Sequence, residues 1–225
     1  MKPVATSPLQ PRETPLHLER RVALLDFDGL IVDTEYAGWR SWHELYQRFG
    51  LSLSQREWAH QCGRAALYEP WEAIEARGAV RADLDAGRLQ RRDELLLLRP
   101  GVLNFLDRAA AQHITVAIVS NSPPEWIERN LARNALPSGR FQGMICGPGY
   151  APKPSPERYL AALAAFGVDA SEAIAVEDST KGVEAAVAAG LDCIAVPNAI
   201  TQHGDLSAAH TVLASLDLLH LAARG

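Results

Sequence analysis

Arg21-Val22-Ala23-Leu24-Leu25-Asp26-Phe27-Asp28-Gly29-Leu30-Ile31-Val32-Asp33-Thr34-Glu35 opens on an unbroken apolar run and closes among acids. An apolar run without alternation reads as a strand buried on both faces, which is how parallel sheets hold their strands between helices. Residues i and i+2 of an extended chain point the same way. Asp26 and Asp28, at the carboxyl end of this strand, therefore face one pocket; a simple pair of turn aspartates is the plain alternative. Two unit charges 4 Å apart near a protein surface repel by on the order of 4 kcal/mol, so a shared pocket demands a compensating positive charge. Gly29 then lets the chain turn sharply.

Similar apolar runs recur at Ile114–Val119, Met144–Cys146, Ile174–Val176 and Cys193–Val196, each spaced to leave room for a helix before the next. Buried strands alternating with helices predict an α/β fold with a Rossmann-like parallel sheet. The helix ends are legible. Pro124 suits a first turn. Ser155-Pro156 reads as a cap followed by a first-turn proline, opening a helix with Tyr159, Leu160, Leu163 and Phe166 on one stripe and Gly167 as its stop. Thr180 to Ala189 is small and apolar and ends at Gly190.

From residue 36 to residue 98 the pattern contains no strand-like run. Trp42, Leu45, Tyr46 and Phe49 follow helical spacing and Gly50 stops that helix; Ser54-Gln55-Arg56-Glu57 is a capping box. Pro70 opens a third helix, with Trp71 and Ile74 inward and Gly78 at its end, and a fourth runs from Asp83 to Leu98. The expected organisation is thus an all-helical cap domain, 36–98, inserted into an α/β core made of 20–35 and 99–225. Residues 1–19, with four prolines, are expected to be a mobile tail.

A chain of 225 residues can build such a core without staples. Its 48% hydrophobic and 22% charged residues are ordinary for a globular protein. A formal net charge of −5 makes a nucleic-acid partner a poor expectation, because phosphate backbones require a basic surface. Three widely spaced cysteines, Cys62, Cys146 and Cys193, form no metal-ligand motif and read as free thiols of a reducing compartment. The apolar stretches are too short for a membrane span, and the proline-broken start carries no signal-peptide core; a cytoplasmic location is expected.

Three further segments lie at predicted strand ends or helix starts. Ser120-Asn121-Ser122 follows an apolar strand and precedes Pro123-Pro124, so a hydroxyl and helix N-terminal N–H groups can face an anion there. Lys153 sits just before Pro154, Ser155 and Pro156 on restricted backbone. Glu177-Asp178-Ser179 ends another strand, and adjacent hard oxygens suit Mg²⁺, which takes one or two carboxylates plus waters and substrate phosphate. Individually each has an ordinary reading as a cap or a solvated charge. Together they fall on one edge of a parallel sheet, where α/β folds bind ligands.

In this order, Asp-Phe-Asp-Gly, Val-Ser-Asn-Ser, Lys-Pro-Ser-Pro-Glu and Glu-Asp-Ser, with Pro100-Gly101-Val102 and Ala195-Val196-Pro197-Asn198 besides, the chain resembles the haloacid dehalogenase superfamily. Within it, the motifs resemble the branch of β-phosphoglucomutase and the sugar-phosphate phosphatases. The resemblance implies a Mg²⁺-dependent phosphomonoester hydrolase acting on a small sugar or polyol phosphate. Asp26 is then the nucleophile that forms an aspartyl-phosphate, and Asp28 the general acid and base. Ser120, Asn121 and Lys153 hold the phosphoryl group. Asp26, Glu177, Asp178 and the Asp28 backbone carbonyl are the metal ligands. The dehalogenases lack the second aspartate, and phosphonate hydrolysis needs a cap lysine that this chain does not have. A hexose-phosphate mutase is the alternative. It fits less well, because Gly38 stands where those mutases carry a histidine and Gly63-Arg64 matches their cap motif poorly. Trp39, His43, Arg64 and Tyr68 are the cap residues expected to face substrate, and the enzyme is expected to act as a monomer.

Overall fold

The computed structural model describes residues 10–62 and 70–223. Its strands are β1 (Leu16–Glu19), β2 (Val22–Leu25), β3 (Thr115–Val119), β4 (Gly143–Ile145), β5 (Ala173–Glu177), β6 (Asp192–Ala195), β7 (Thr211–Val212) and β8 (Leu219–Ala222). Its helices are α1 (Thr34–Arg48), α2 (Gln55–Cys62), α3 (Pro70–Glu75), α4 (Arg81–Glu94), α5 (Val102–Ala111), α6 (Pro124–Arg133), α7 (Glu157–Phe166) and α8 (Thr180–Ala188). Six strands form one all-parallel sheet in the order β4-β3-β2-β5-β6-β7. The chain winds outward from β2 through β3 to β4, then returns to the other side of β2 with β5. The crevice outside the carboxyl end of β2 is therefore a topological switch point, where open α/β sheets take their ligands.

The strand alternation explains the layering. Ala23, Leu25, Val116, Ile118, Ile174 and Val176 pack on α5 and α6, through Phe105, Leu106, Ile127 and Leu131. Their neighbours Val22, Leu24, Ala117, Val119, Ala173 and Ala175 pack on α7 and α8, through Tyr159, Leu163, Val183 and Ala186. All four residues of β2 are buried, as the unbroken apolar run requires of a strand covered on both faces.

Helices α1 to α3 gather a cluster of their own, with Trp39, Trp42, Leu45, Tyr46, Leu53, Trp71 and Ile74 buried together; Ile200, from the loop after β6, joins it. Ser54 and Glu57 form the expected reciprocal cap, Ser54 N to Glu57 Oε2 at 2.8 Å and Glu57 N to Ser54 Oγ at 3.2 Å. Gly167 closes α7 in the left-handed region at φ 60°.

Three expectations are corrected. Leu16–Glu19 is not a mobile tail: it is β1, parallel to β8, with Leu16 and Leu18 packed against the main core. Two apolar side chains on one face were enough to dock it once β8 supplied hydrogen-bond partners. The helix from Asp83 stops at Glu94 rather than Leu98. Leu98 instead bridges to Val32 and Leu96 joins the core, while Leu97 is exposed, so the alternation of an extended segment replaced the last helical turn. Helix α7 begins at Glu157, with Pro156 in the cap position expected of Ser155.

Candidate active site

Four chain segments end at one crevice. Asp26 follows β2 directly, its N–H donating to Val176 O at 3.0 Å, so it stays in sheet register with β5. The chain then folds back on itself, with Ile31 N on Phe27 O at 2.9 Å and Gly29 N on Val32 O at 2.8 Å. Gly29 adopts φ +83°, and a side chain there would collide with the Asp178 carboxylate, so glycine is required twice over. Ser120 follows β3, and Asp178 follows β5. The Ser179 side chain caps α8 by accepting from Gly182 N. Among the described residues, Asp26, Asp28, Glu35, Ser120, Asn121, Lys153, Asp178, Lys181 and Thr201 are part of the lining of one cavity of about 320 Å³.

Lys153 is the electrostatic centre. Its buried ammonium donates to Asp26 Oδ1 at 2.5 Å, Glu177 Oε1 at 2.5 Å and Val119 O at 2.7 Å. All three of its hydrogens are thereby used. Burial pulls its pKa down, but Asp26 and Glu177 more than reverse that, and it stays charged. Asn121 Oδ1 holds the lysine's loop by accepting from Lys153 N at 2.9 Å and Arg158 Nε at 3.1 Å. Tyr159 Oη donates to the same Glu177 oxygen at 2.6 Å.

One ammonium does not balance the acids. Burial pushes Asp26 up to about 8; Lys153 pulls it back, while Glu177 and Asp28 push it further up. Burial, then Asp26, Glu177 and Glu35, drives Asp178 upward as well. Carboxylate oxygens of Asp26, Glu177 and Asp178 all lie within 4.8 Å of one another. Glu177 Oε2 is buried without a hydrogen-bond partner among the described residues. Three convergent hard oxygens with excess negative charge and an unsatisfied lone pair fit a divalent cation such as Mg²⁺. The Asp28 carboxylate is not part of this group. It accepts instead from Ser122 Oγ at 2.6 Å and from the Trp126 indole at 2.8 Å.

The expected core residues are thus brought together, while two of the expected cap residues are not. Trp39 is buried in the helical cluster, donating to Leu53 O at 3.0 Å, and His43 stacks on it at 4.8 Å and contacts the same carbonyl. Neither lines the cavity. Helical spacing could not tell which face of α1 packed inward. Arg64 and Tyr68 lie outside the described residues. Sequence reasoning also missed Asn198, whose side-chain amide donates to Asp178 Oδ2 at 2.9 Å and Gly29 O at 3.2 Å. Its carbonyl accepts from Ile200 N and Thr201 N, at 2.8 and 2.9 Å. Arg99 was missed too; it ties Gly29 O to Val196 O and Pro197 O. A polar residue just past a buried strand, as in Val196-Pro197-Asn198, was the signal available for the first.

A parallel sheet, with acids and a buried lysine at its switch point, defines an enzyme of the haloacid dehalogenase type. The chain belongs to the haloacid dehalogenase-like hydrolase family, whose sequence profile matches residues 23–196. It is 31% identical over 187 residues to YhcW of Bacillus subtilis, a protein provisionally named a phosphatase; the match covers 80% of this chain and 85% of that one. It is 27% identical over 178 residues to a phosphorylated carbohydrates phosphatase of Thermotoga maritima, covering 76% and 82%. The crystal structure of CbbY from Rhodobacter sphaeroides in complex with phosphate shares the fold, with a TM-score of 0.65 at 24% identity over 88% of this chain and 95% of that chain. Among the described residues, no helix is long and apolar enough to cross a membrane.

Proposed function

We propose that the protein is a Mg²⁺-dependent phosphatase of small phosphorylated metabolites, sugar or polyol phosphates, working through an aspartyl-phosphate. The observation that carries this reading is the buried Lys153 ammonium bonded at once to Asp26 and Glu177, in a cavity that Asp28, Ser120 and Asp178 also line. One relative, the Thermotoga maritima protein, is named for phosphorylated carbohydrates, the same class of substrate.

In this reading Asp26, Glu177, Asp178 and the Asp28 carbonyl hold the Mg²⁺, which supplies positive charge against the substrate phosphate. A phosphomonoester carries about −1.5 to −2 charges at pH 7, so an anionic nucleophile approaches it only where cations have neutralised the field. Lys153 orients Asp26, and the ammonium together with the cation would hold it ionised. Asp26 attacks phosphorus, forming the P–O bond of the aspartyl-phosphate as the bond to the leaving alkoxide breaks. Asp28 donates its proton to that alkoxide, then takes one from the water that cleaves the intermediate. Ser120 and the N–H of Asn121 hold phosphoryl oxygens, and Ser122 and Trp126 hold Asp28. The chain contributes positioning and charge, as phosphoryl transfer requires. Helices α1 to α4 serve as a cap over the cavity, and the enzyme works as a cytoplasmic monomer.

Asp26→Asn is expected to reduce inorganic phosphate release from 4-nitrophenyl phosphate, and from a panel of sugar phosphates, to background. Retained turnover would remove the nucleophile and with it the reading.

A further inference from the structure

Asp28 has a seat that the acid–base chemistry alone does not explain. Its Oδ2 accepts from Ser122 Oγ at 2.6 Å, and its Oδ1 from Trp126 Nε1 at 2.8 Å. Both carboxylate oxygens are therefore held, by donors on one segment of chain. Ser122 lies in the loop after β3, and Trp126 in the first turn of α6.

The indole is itself held from several sides. It packs against the main core. Arg129, three positions further along the same helix, stands 5.0 Å from its ring centroid. Arg92, near the end of α4, stands 5.7 Å away. Next to Arg92, Asp93 meets Arg133 of α6, with Arg133 Nη1 on Asp93 O at 2.8 Å. The base of the helical insert thus leans on the residue that orients Asp28.

We propose that Trp126 is a positioning residue: its indole N–H fixes the Asp28 carboxyl group in the rotamer from which it serves the leaving group. This rests on the phosphatase reading above. A carboxyl group on a short side chain has two free torsions, and proton transfer needs heavy atoms within about 2.6–3.2 Å. A hydrogen bond to one oxygen leaves the group free to swing, whereas donors on both oxygens leave it one orientation. The indole is suited to this because it donates and cannot accept. It therefore holds Oδ1 as an acceptor, and the proton sits at the Oδ2 lone pair that the Ser122 hydroxyl does not use.

The test compares two leaving groups. Benzyl phosphate expels an alkoxide that needs a proton; 4-nitrophenyl phosphate expels a phenolate that does not. kcat/KM reports the first irreversible step, formation of the phosphoenzyme. For Trp126→Phe, the loss in kcat/KM on benzyl phosphate is expected to exceed the loss on 4-nitrophenyl phosphate by about tenfold, the scale of one hydrogen bond to a charged group. A purely structural defect lowers both alike. Trp126→His restores a ring N–H and is expected to bring the ratio back toward wild type. Turnover of 4-nitrophenyl phosphate in the same preparation reports that the variant has folded. Equal losses on the two esters, or no loss, overturn the assignment of Trp126. Asp28→Asn separates this from the parent reading: if it shows the leaving-group dependence and Trp126→Phe does not, only Trp126 is wrong. If Asp28→Asn shows none, the acid role of Asp28 falls and the proposal falls with it.

Discussion

Replacing Lys153 with methionine keeps the stem and removes the charge. The ammonium makes three hydrogen bonds, to Asp26, Glu177 and Val119 O, inside a site where the lysine, Asp26 and Glu177 are all buried. Removing one side of a buried, bonded ion pair costs on the order of 3–5 kcal/mol, because the partner charge is left uncompensated. Methionine fills nearly the same volume, so little of that cost is a cavity. The acids have one way to recover some of the loss, which is to take up protons. Burial already pushes Asp26 up to about 8 in the intact site, and losing the ammonium pushes it further.

The sign follows from proton counts. An acid whose folded pKa lies above its unfolded value binds more protons in the native state, so stability falls as pH rises through that window. Lys153→Met is therefore expected to cost about 3 kcal/mol or more near pH 9, and distinctly less near pH 6. For a chain of this length about 3 kcal/mol corresponds to roughly 6–12 °C in melting temperature. Urea unfolding of both proteins in EDTA, at the two pH values, measures this. A loss below about 1 kcal/mol at the higher pH, or a loss that does not shrink on acidification, would refute the electrostatic account of the site.

Glu35, which lines the same cavity, provides a second pH test. Burial, then Asp28 and Asp33, raises it from 4.5 to about 7, so wild-type stability falls across that interval, where the native state keeps a proton that the unfolded chain has released. Glu35→Gln should flatten the curve of stability against pH by on the order of 2 kcal/mol and raise stability near pH 8; parallel curves for the two proteins would contradict this. Mg²⁺ added to EDTA-treated protein is expected to raise the melting temperature, by the equivalent of about 2.7 kcal/mol at a hundredfold excess over Kd. The affinity should climb with pH, since binding displaces protons from Asp26 and Asp178, and Asp178→Asn should erase the shift. A melting temperature unmoved by Mg²⁺ in the wild type would sink the cation assignment.

Much of this site was legible because it is built from strand ends. An apolar run such as Arg21–Phe27 announces its own burial, and whatever follows it must emerge at a sheet edge. Once four such runs are aligned in parallel, Asp26, Ser120 and Asp178 have to share that edge. Lys153 was legible only by its place before a helix, since nothing local says that its stem is buried.

Short-range pattern therefore settled the strand count near the centre, the acids at the strand ends and the glycine turn at 29, because each depends on burial or backbone freedom within a few residues. Tertiary contact alone decided the rest. β1 needed β8, some two hundred positions away, to satisfy its backbone. Trp39 and His43 turned into the helical cluster because α2 and α3 offered more apolar surface there than the cavity did. Asn198 and Trp126 reached Asp178 and Asp28 from loops and helices distant in the chain. Hydrogen bonds between remote segments leave no periodicity for a sequence to display.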